Sequence, residues 1–395
     1  MSPIDACPVC EHEELAPVLE VESAPVFCNL LFPNRHEALR AARGTIRLTF
    51  CRTCGHLFNS AFEPDRLHYT QSYENSLHYS PRFQEYARSL TERLIAKYDL
   101  HDKNVVEIGC GKGDFLELIC KLGPNRGTGF DPSYEKTPPL AGAAAQPFQV
   151  VQDLYSNKYL DIPADLIVCR HVLEHIARPR PFIDTIRRAI ANNPQAAAYF
   201  EVPNAMYTIE QLGIWDLIYE HPGYFSKPSL SHLFSSCQLN PVLIEEAFGG
   251  QYLCLEAVSQ DRTHPSTSAN SSGELENAML NLERFAELHR QKIEYWDSRL
   301  KDFRDAERRV VVWGAGSKGV TFLNTVALAE SIGYVVDINP RKQGMYTPGT
   351  GQPIVAPDLL KEYKPDVILV MNPIYCEEIR ALSDRMSLQT EIVPV

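Results

Sequence analysis

No apolar run in the sequence is long enough to span a bilayer, and the opening MSPIDACPVC has neither the basic nor the apolar stretch of a signal region. Positive charge is also scarce. Against 50 Asp and Glu stand only 38 Lys and Arg, giving a net charge of −12, and the basic residues are scattered. That leaves no basic stripe to track a nucleic-acid backbone. These absences predict a soluble, cytoplasmic protein without a nucleic-acid or membrane partner, and leave the oligomeric state open. Eleven cysteines is an odd number, and in a reducing compartment they read as thiols, not as a disulfide framework. Cys110, Cys120, Cys169 and Cys254 fall in apolar segments and are expected as buried thiols. At 395 residues the chain is long enough for two or three domains with their own cores.

What is present centres on Val105–Asp131. The apolar run from Val105 to Ile108 leads into Gly109-Cys110-Gly111-Lys112-Gly113, and an apolar helical pattern from Phe115 to Leu122 follows. This predicts strand, glycine turn and helix, with the glycines letting backbone approach a ligand. A second strand ends in Asp131, where an acid accepts hydrogen bonds from both hydroxyls of a ribose. An adenosine-type ligand is implied. A dinucleotide turn reads G-x-G-x-x-G, whereas here Glu107 precedes Gly109, Gly111 and Gly113. A carboxylate there repels a pyrophosphate but can hold an amino-acid ammonium. The spacing resembles motif I of class I S-adenosylmethionine methyltransferases, which makes Asp131 the expected ribose acid. Further strands at Val150–Gln152, Asp165–Cys169 and Ala197–Val202 alternate with helices and predict an α/β, doubly wound Rossmann-like sheet with its site at the carboxyl strand ends. Asp153 then reads either as a partner for the adenine amino group or as a helix N-cap.

Upstream, Cys7-x-x-Cys10 and Cys51-x-x-Cys54 form two knuckles that complete a tetrahedral Zn²⁺ site. With all four positions filled by sulfur, this zinc is structural. The segment Tyr69–Ser80 is rich in aromatic and hydrogen-bonding groups, including Tyr73, and reads as a pocket-lining or a surface loop. Ser80-Pro81 predicts a helix start.

Downstream, His171-x-x-Glu174-His175 matches a metalloprotease pattern, but the strand directly before it excludes a protease helix. The stretch from Trp215 to Ser226 gathers ionisable and aromatic groups past the fifth strand. Glu220 beside His221 can orient the imidazole or raise its basicity, as a general base requires; a satisfied loop histidine is the alternative.

A polar linker, 261–273, precedes a long amphipathic pattern from Leu275 to Phe303. Gly314-x-Gly316-x-x-Gly319 follows a strand, with Asp337 ending the next. Alone this is a better dinucleotide fingerprint than the first turn. The roughly 85 residues after Val310 suffice for one half of a two-part dinucleotide fold. A structural or substrate-phosphate role is expected, with NAD binding as the alternative. Arg341 and Lys342, between Asp337 and Gly349, offer charge to a phosphate or lie in a solvated turn.

Taken together, the knuckles, tyrosine loop, glycine turn, His-containing turn at 171–176, Glu-His-x-x-Tyr-Phe-Ser segment and second glycine turn resemble the sugar C-methyltransferases acting on nucleotide-linked 4-keto-deoxysugars. The resemblance runs over nearly the whole chain. It implies a zinc-binding domain at 1–80, an S-adenosylmethionine-binding domain at 81–260, and a helix with a Rossmann-like substrate-cleft domain at 274–395. It also implies His221 as base, Glu220 as its partner, and Tyr73, His175 and Tyr219 around a nucleotide-sugar acceptor. Two differences from the family stand out: its tyrosine is usually one residue removed from Glu-His, whereas Tyr219 adjoins Glu220, and here His175 follows Leu-Glu. The expected reaction is deprotonation beside a ketone and methylation of that carbon. The alternatives are methylation of another small O-, N- or C-acceptor, or a NAD-linked oxidation using Gly314–Gly319.

Overall fold

The computed structural model describes residues 4–67, 73–135, 147–191, 193–260 and 271–395. The first domain is an antiparallel sheet of β1 (Leu15–Pro25), β2 (Arg43–Cys51) and β3 (Leu57–Asn59) lying between and beside the two cysteine knuckles. Each knuckle is a closed backbone turn, with Glu11 N–H donating to the Cys7 carbonyl at 2.8 Å and Gly55 N–H to that of Cys51 at 2.9 Å.

Ser80 then caps the helix Pro81–Tyr98, its hydroxyl accepting the Phe83 N–H at 3.3 Å, and Pro81 occupies the first turn where no N–H is needed. Phe83, Ala87, Leu90 and Leu94 share one buried face of that helix. Next come β4 (Asn104–Ile108), β5 (Arg126–Phe130), β6 (Phe148–Val151), β7 (Leu166–Arg170), β8 (Ala197–Pro203), the short β9 (Gly223–Tyr224), β10 (Leu239–Ala247) and β11 (Tyr252–Ser259). All but β9 form one sheet in the order β10-β11-β8-β7-β4-β5-β6. The run β8-β7-β4-β5-β6 is parallel, as the alternation of strands and helices predicts. β11 departs from it and is antiparallel to both neighbours. Its connection to β10 is too short for a crossover, being a tight turn through Gly249 and Gly250 at φ 68° and 84°.

β9 pairs with β3 in the first domain's sheet, Phe58 opposite Gly223. The chain therefore leaves the carboxyl end of β8, crosses to the first domain and returns. This excursion carries residues 218–221 past His175, whose Nδ1 lies 2.9 Å from the Glu220 carbonyl.

The third domain is a parallel sheet of β12 (Val310–Trp313), β13 (Ile332–Val336), β14 (Ile354–Val355), β15 (Val367–Val370) and β16 (Glu391–Pro394), ordered β14-β13-β12-β15-β16. Gly319 lets its helix sit on β12, since a Cβ there would stand 2.0 Å from the Gly314 carbonyl oxygen. The helix Ser271–Asp305 buries Phe285, Trp296 and Leu300 in a core that also contains Leu48 and Phe50 of β2 and Val310 of β12. First and third domains thus share one apolar core. The four knuckle cysteines belong to another, shared with β4, β7 and β8 of the central sheet. Cys110, Cys120, Cys169 and Cys254 are buried, as expected. Among the described residues, no helix is long and apolar enough to cross a membrane.

Candidate active site

Glu107 lies in the penultimate position of β4, only 4 % exposed, and its Oε2 has no hydrogen-bond partner among the described residues. Burial pushes its carboxyl up to about 8. Gly109, Gly111 and Gly113 all have positive φ (71°, 54° and 89°), which only glycine adopts freely. A Cβ on Gly111 would meet nothing within 4 Å, so this part of the turn is an open cradle, whereas one on Gly109 would strike Val172. Asp131, following β5, accepts the Gly111 N–H at 2.9 Å on Oδ2 and the Ser133 hydroxyl at 2.6 Å on Oδ1. An orphaned buried carboxylate oxygen, an open glycine face and an ordered acid fit S-adenosylmethionine: Glu107 could hold its ammonium and Asp131 its ribose. Asp153 follows β6 and accepts from the Tyr159 hydroxyl at 2.6 Å and Lys158 Nζ at 3.1 Å. The N-cap position of the next helical turn falls at Ser156, not at Asp153, and carries no side-chain cap bond.

A cavity of about 290 Å³ is lined by residues of all three domains. Tyr73 and Ser80 come from the first, His171, Glu174, His175 and His221 from the second, and Gly316, Lys318 and Lys342 from the third. The central histidines differ in charge. Burial holds His175 and His221 below the ordinary imidazole range, His221 far below, with a contribution from the positive charge of His171. For His171 burial pulls the same way, but Glu174 and Glu201 outweigh it and hold the imidazole up at about 9. Glu201 Oε1 is 2.9 Å from His171 Nε2 and also receives Arg170, at 2.8 Å from Nη2. His175 and His221 stand edge to face, ring centroids 4.7 Å apart.

Two expected assignments need correction. Tyr219 does not line the cavity: it is fully buried in a cluster with Val26, Ile46 and Phe62, and its hydroxyl accepts the Glu63 N–H at 3.0 Å. Tyr219 and Glu220 lie in a turn, and the Tyr219 ring goes into the first domain's core. The Glu220 carboxylate does not orient His221 either. Its Oε2 accepts the Cys28 N–H at 2.8 Å, and Tyr73 bonds to the same side chain. Glu220 meets the histidine pair through its backbone carbonyl, which accepts from His175 Nδ1 at 2.9 Å.

On the third domain's side, Lys318 Nζ lies 2.9 Å from Asp216 Oδ2 and donates to Gln251 Oε1 at 3.0 Å, joining the second glycine turn to the central sheet. Lys342 Nζ reaches the Ala315 carbonyl at 3.1 Å and Asn29 Oδ1 at 3.4 Å. Sequence reading missed His171, Glu174 and Lys318 as site residues. Their signal is positional: the first two stand beyond the end of β7, and Lys318 lies inside the second turn. The knuckle sulfurs of Cys7, Cys10, Cys51 and Cys54 converge, with Cys7–Cys54 at 3.6 Å and Cys10–Cys51 at 3.4 Å. Tetrahedral thiolates about 2.3 Å from zinc are roughly 3.8 Å apart, so the four residues fit that ion.

Comparison with known proteins matches residues 79–244 to a methyltransferase domain and residues 250–392 to a C-methyltransferase C-terminal domain. The C-methyltransferase NovU of Streptomyces niveus is 26 % identical over 95 % of this chain and 91 % of its own length. Matching solved structures include the 1,6-didemethyltoxoflavin-N1-methyltransferase of Burkholderia thailandensis (16 % identity, 45 % of this chain and 80 % of that one, TM-score 0.35). Another is the magnesium protoporphyrin IX methyltransferase of Synechocystis PCC 6803 (15 % identity, 45 % and 84 %, TM-score 0.34). A methyltransferase domain followed in one chain by a C-methyltransferase C-terminal domain, and similarity to a C-methyltransferase along almost its full length, make this protein an S-adenosylmethionine-dependent methyltransferase.

Proposed function

We propose that this methyltransferase acts on a nucleotide-linked keto-deoxysugar, methylating the carbon beside the ketone. The observation that carries this reading is the shared cavity: His175 and His221, a pair held neutral by burial, line one part of it, and a glycine turn with Lys318 and Lys342 lines another. Backbone N–H groups and lysines suit phosphates, and a neutral imidazole suits removal of a carbon-bound proton. Bound S-adenosylmethionine supplies the electrophilic methyl group. His221 takes the proton, while His175, fixed by the Glu220 carbonyl, and Tyr73 position the acceptor. Glu107, the three glycines, Asp131 and Asp153 hold the cofactor so that the reacting carbon and the methyl group meet in line. The relative named as a C-methyltransferase supports the choice of carbon as acceptor atom.

Incubation with S-adenosylmethionine and a panel of nucleotide-linked 4-keto-6-deoxysugars, read by mass spectrometry and by NMR of a labelled methyl group, tests this. A new carbon-bound methyl on one panel member is expected. Methylation confined to oxygen or nitrogen acceptors of other classes would replace this reading with the broader one.

A further inference from the structure

His171 is the one imidazole of the cavity that two carboxylates flank. It follows β7 directly, at φ +53°, an uncommon conformation for a residue with a side chain. Its backbone N–H donates to the Glu201 carbonyl at 2.8 Å, and its ring packs edge-on against Tyr252 with centroids 4.5 Å apart. The backbone turn and the ring contact together determine the direction of the imidazole. Nε2 is buried and turned to Glu201 at 2.9 Å; Nδ1 stands 3.7 Å from Glu174 Oε1, beyond hydrogen-bond reach. The side chain is nevertheless 25 % exposed and lines the cavity. Since the Nε2 edge is buried, it is another edge that the acceptor meets. The neighbouring residue, Val172, packs on Gly109 of the cofactor turn, so His171 sits where the cofactor and acceptor halves of the site adjoin.

Resting on the ketone-bearing acceptor argued above, we propose that His171 is a catalytic residue whose Nδ1–H donates a hydrogen bond to the enolate oxygen of the substrate. The base and the electrophile are then separate histidines. As His221 takes the proton, the C–H electron pair becomes the carbon–carbon π bond and the carbonyl π pair moves onto oxygen, where His171 meets it. The carbon next takes the methyl group, the C=O bond re-forms and the S–CH₃ pair stays on sulfur. A charged donor held in place before the charge develops on oxygen stabilises the transition state more than the ground state. The groups facing His171 favour that charge: Glu174 from its own turn and Glu201 from β8 outweigh Arg170, while Tyr252 of β11 covers the ring. Its charge in turn disfavours protonation of His175 and His221, which keeps the base available.

Exchange of the proton beside the ketone into D₂O, followed by NMR with S-adenosylhomocysteine bound, reads enolisation without methyl transfer. H171N is expected to slow both exchange and kcat by about 100-fold or more, with KM and S-adenosylhomocysteine affinity changed less than about threefold, and H171A to be slower still. A purely packing role would move thermal stability and cofactor binding and leave exchange in step with the fraction folded. As a readout independent of mutation, ¹⁵N-histidine NMR of the wild-type protein should show His171 doubly protonated at pH 7. A neutral His171 there, or H171N exchanging within about threefold of wild type, overturns the role of His171 alone. A wild type that exchanges and methylates no ketone overturns the acceptor reading and this inference with it.

Discussion

His175 gives its Nδ1 proton to the backbone carbonyl of Glu220 at 2.9 Å. A carbonyl only accepts, so this contact assigns the tautomer and leaves Nε2 of His175 with its lone pair. It also ties His175 to the residue before His221, and the two rings stand edge to face. Both are held neutral chiefly by burial, with a smaller contribution from the charge of His171. A histidine lowered in this way is unprotonated at and above neutral pH and is lost as a base only when pH falls through its depressed value. With S-adenosylmethionine saturating, kcat should therefore hold level from pH 8 down to 6.5. An acid limb centred near 6.5 would contradict His221 as the base. His221→Ala should lower kcat by about 10³-fold with S-adenosylhomocysteine binding intact.

Glu107 leads to a prediction about protons. Its carboxyl is raised to about 8 by burial, so at pH 7 most of the free protein carries it protonated. A ligand ammonium beside it favours the carboxylate and lowers that value. Binding of S-adenosylhomocysteine at pH 7 should thus release a proton, and affinity should rise between pH 6 and 8. Calorimetric titration in buffers of different ionisation enthalpy measures the release. Glu107→Gln should abolish it and weaken binding by about tenfold, and Asp131→Ala should weaken binding without removing the release.

The cofactor half of this site is written in contiguous sequence, because a turn, its preceding acid and the acid ending the next strand are all set by local backbone geometry. Glu107, Gly111 and Asp131 are accordingly legible in the sequence alone. The acceptor half is assembled by long-range contacts and is less so. Glu220 and His221 are adjacent in the chain, yet the carboxylate pairs with the Cys28 N–H, 192 residues away. No pattern in 215–226 shows that partner. Tyr219 turns inward through an equally distant contact, its hydroxyl accepting the Glu63 N–H 156 residues away. The antiparallel direction of β11 escapes sequence reading because periodicity reports burial, not direction.

From that inversion follows a pair of contrasting variants. Tyr219→Phe removes a hydrogen bond to the Glu63 N–H in the first domain's core and should cost about 1 kcal/mol of stability, read by denaturant unfolding, with kcat unchanged. Tyr73→Phe removes a hydroxyl that lines the cavity and bonds to Glu220, and should lower kcat/KM with stability little altered. Equal losses of activity in both variants would return Tyr219 to the acceptor site.

Zinc content separates two clusters of donors. The sulfurs of Cys7, Cys10, Cys51 and Cys54 converge within a core that continues into the central sheet, so an ion there stabilises more than the knuckles. Glu174, His175 and His221 also bring donor atoms within 4.8 Å of one another. A metal on them would occupy the base and would sit beside His171, which its two carboxylates hold charged. Elemental analysis of the purified protein should find one zinc per chain, retained in the double variant Glu174→Gln with His175→Asn and lost in Cys51→Ser. Loss of zinc in Cys51→Ser should lower the melting temperature by several degrees, because a thiolate site that folds with its domain contributes its binding free energy to folding. Two zinc ions per chain, the second removed by the Glu174 and His175 changes, would mean instead that the histidine pair binds metal, and catalysis would then need a different base.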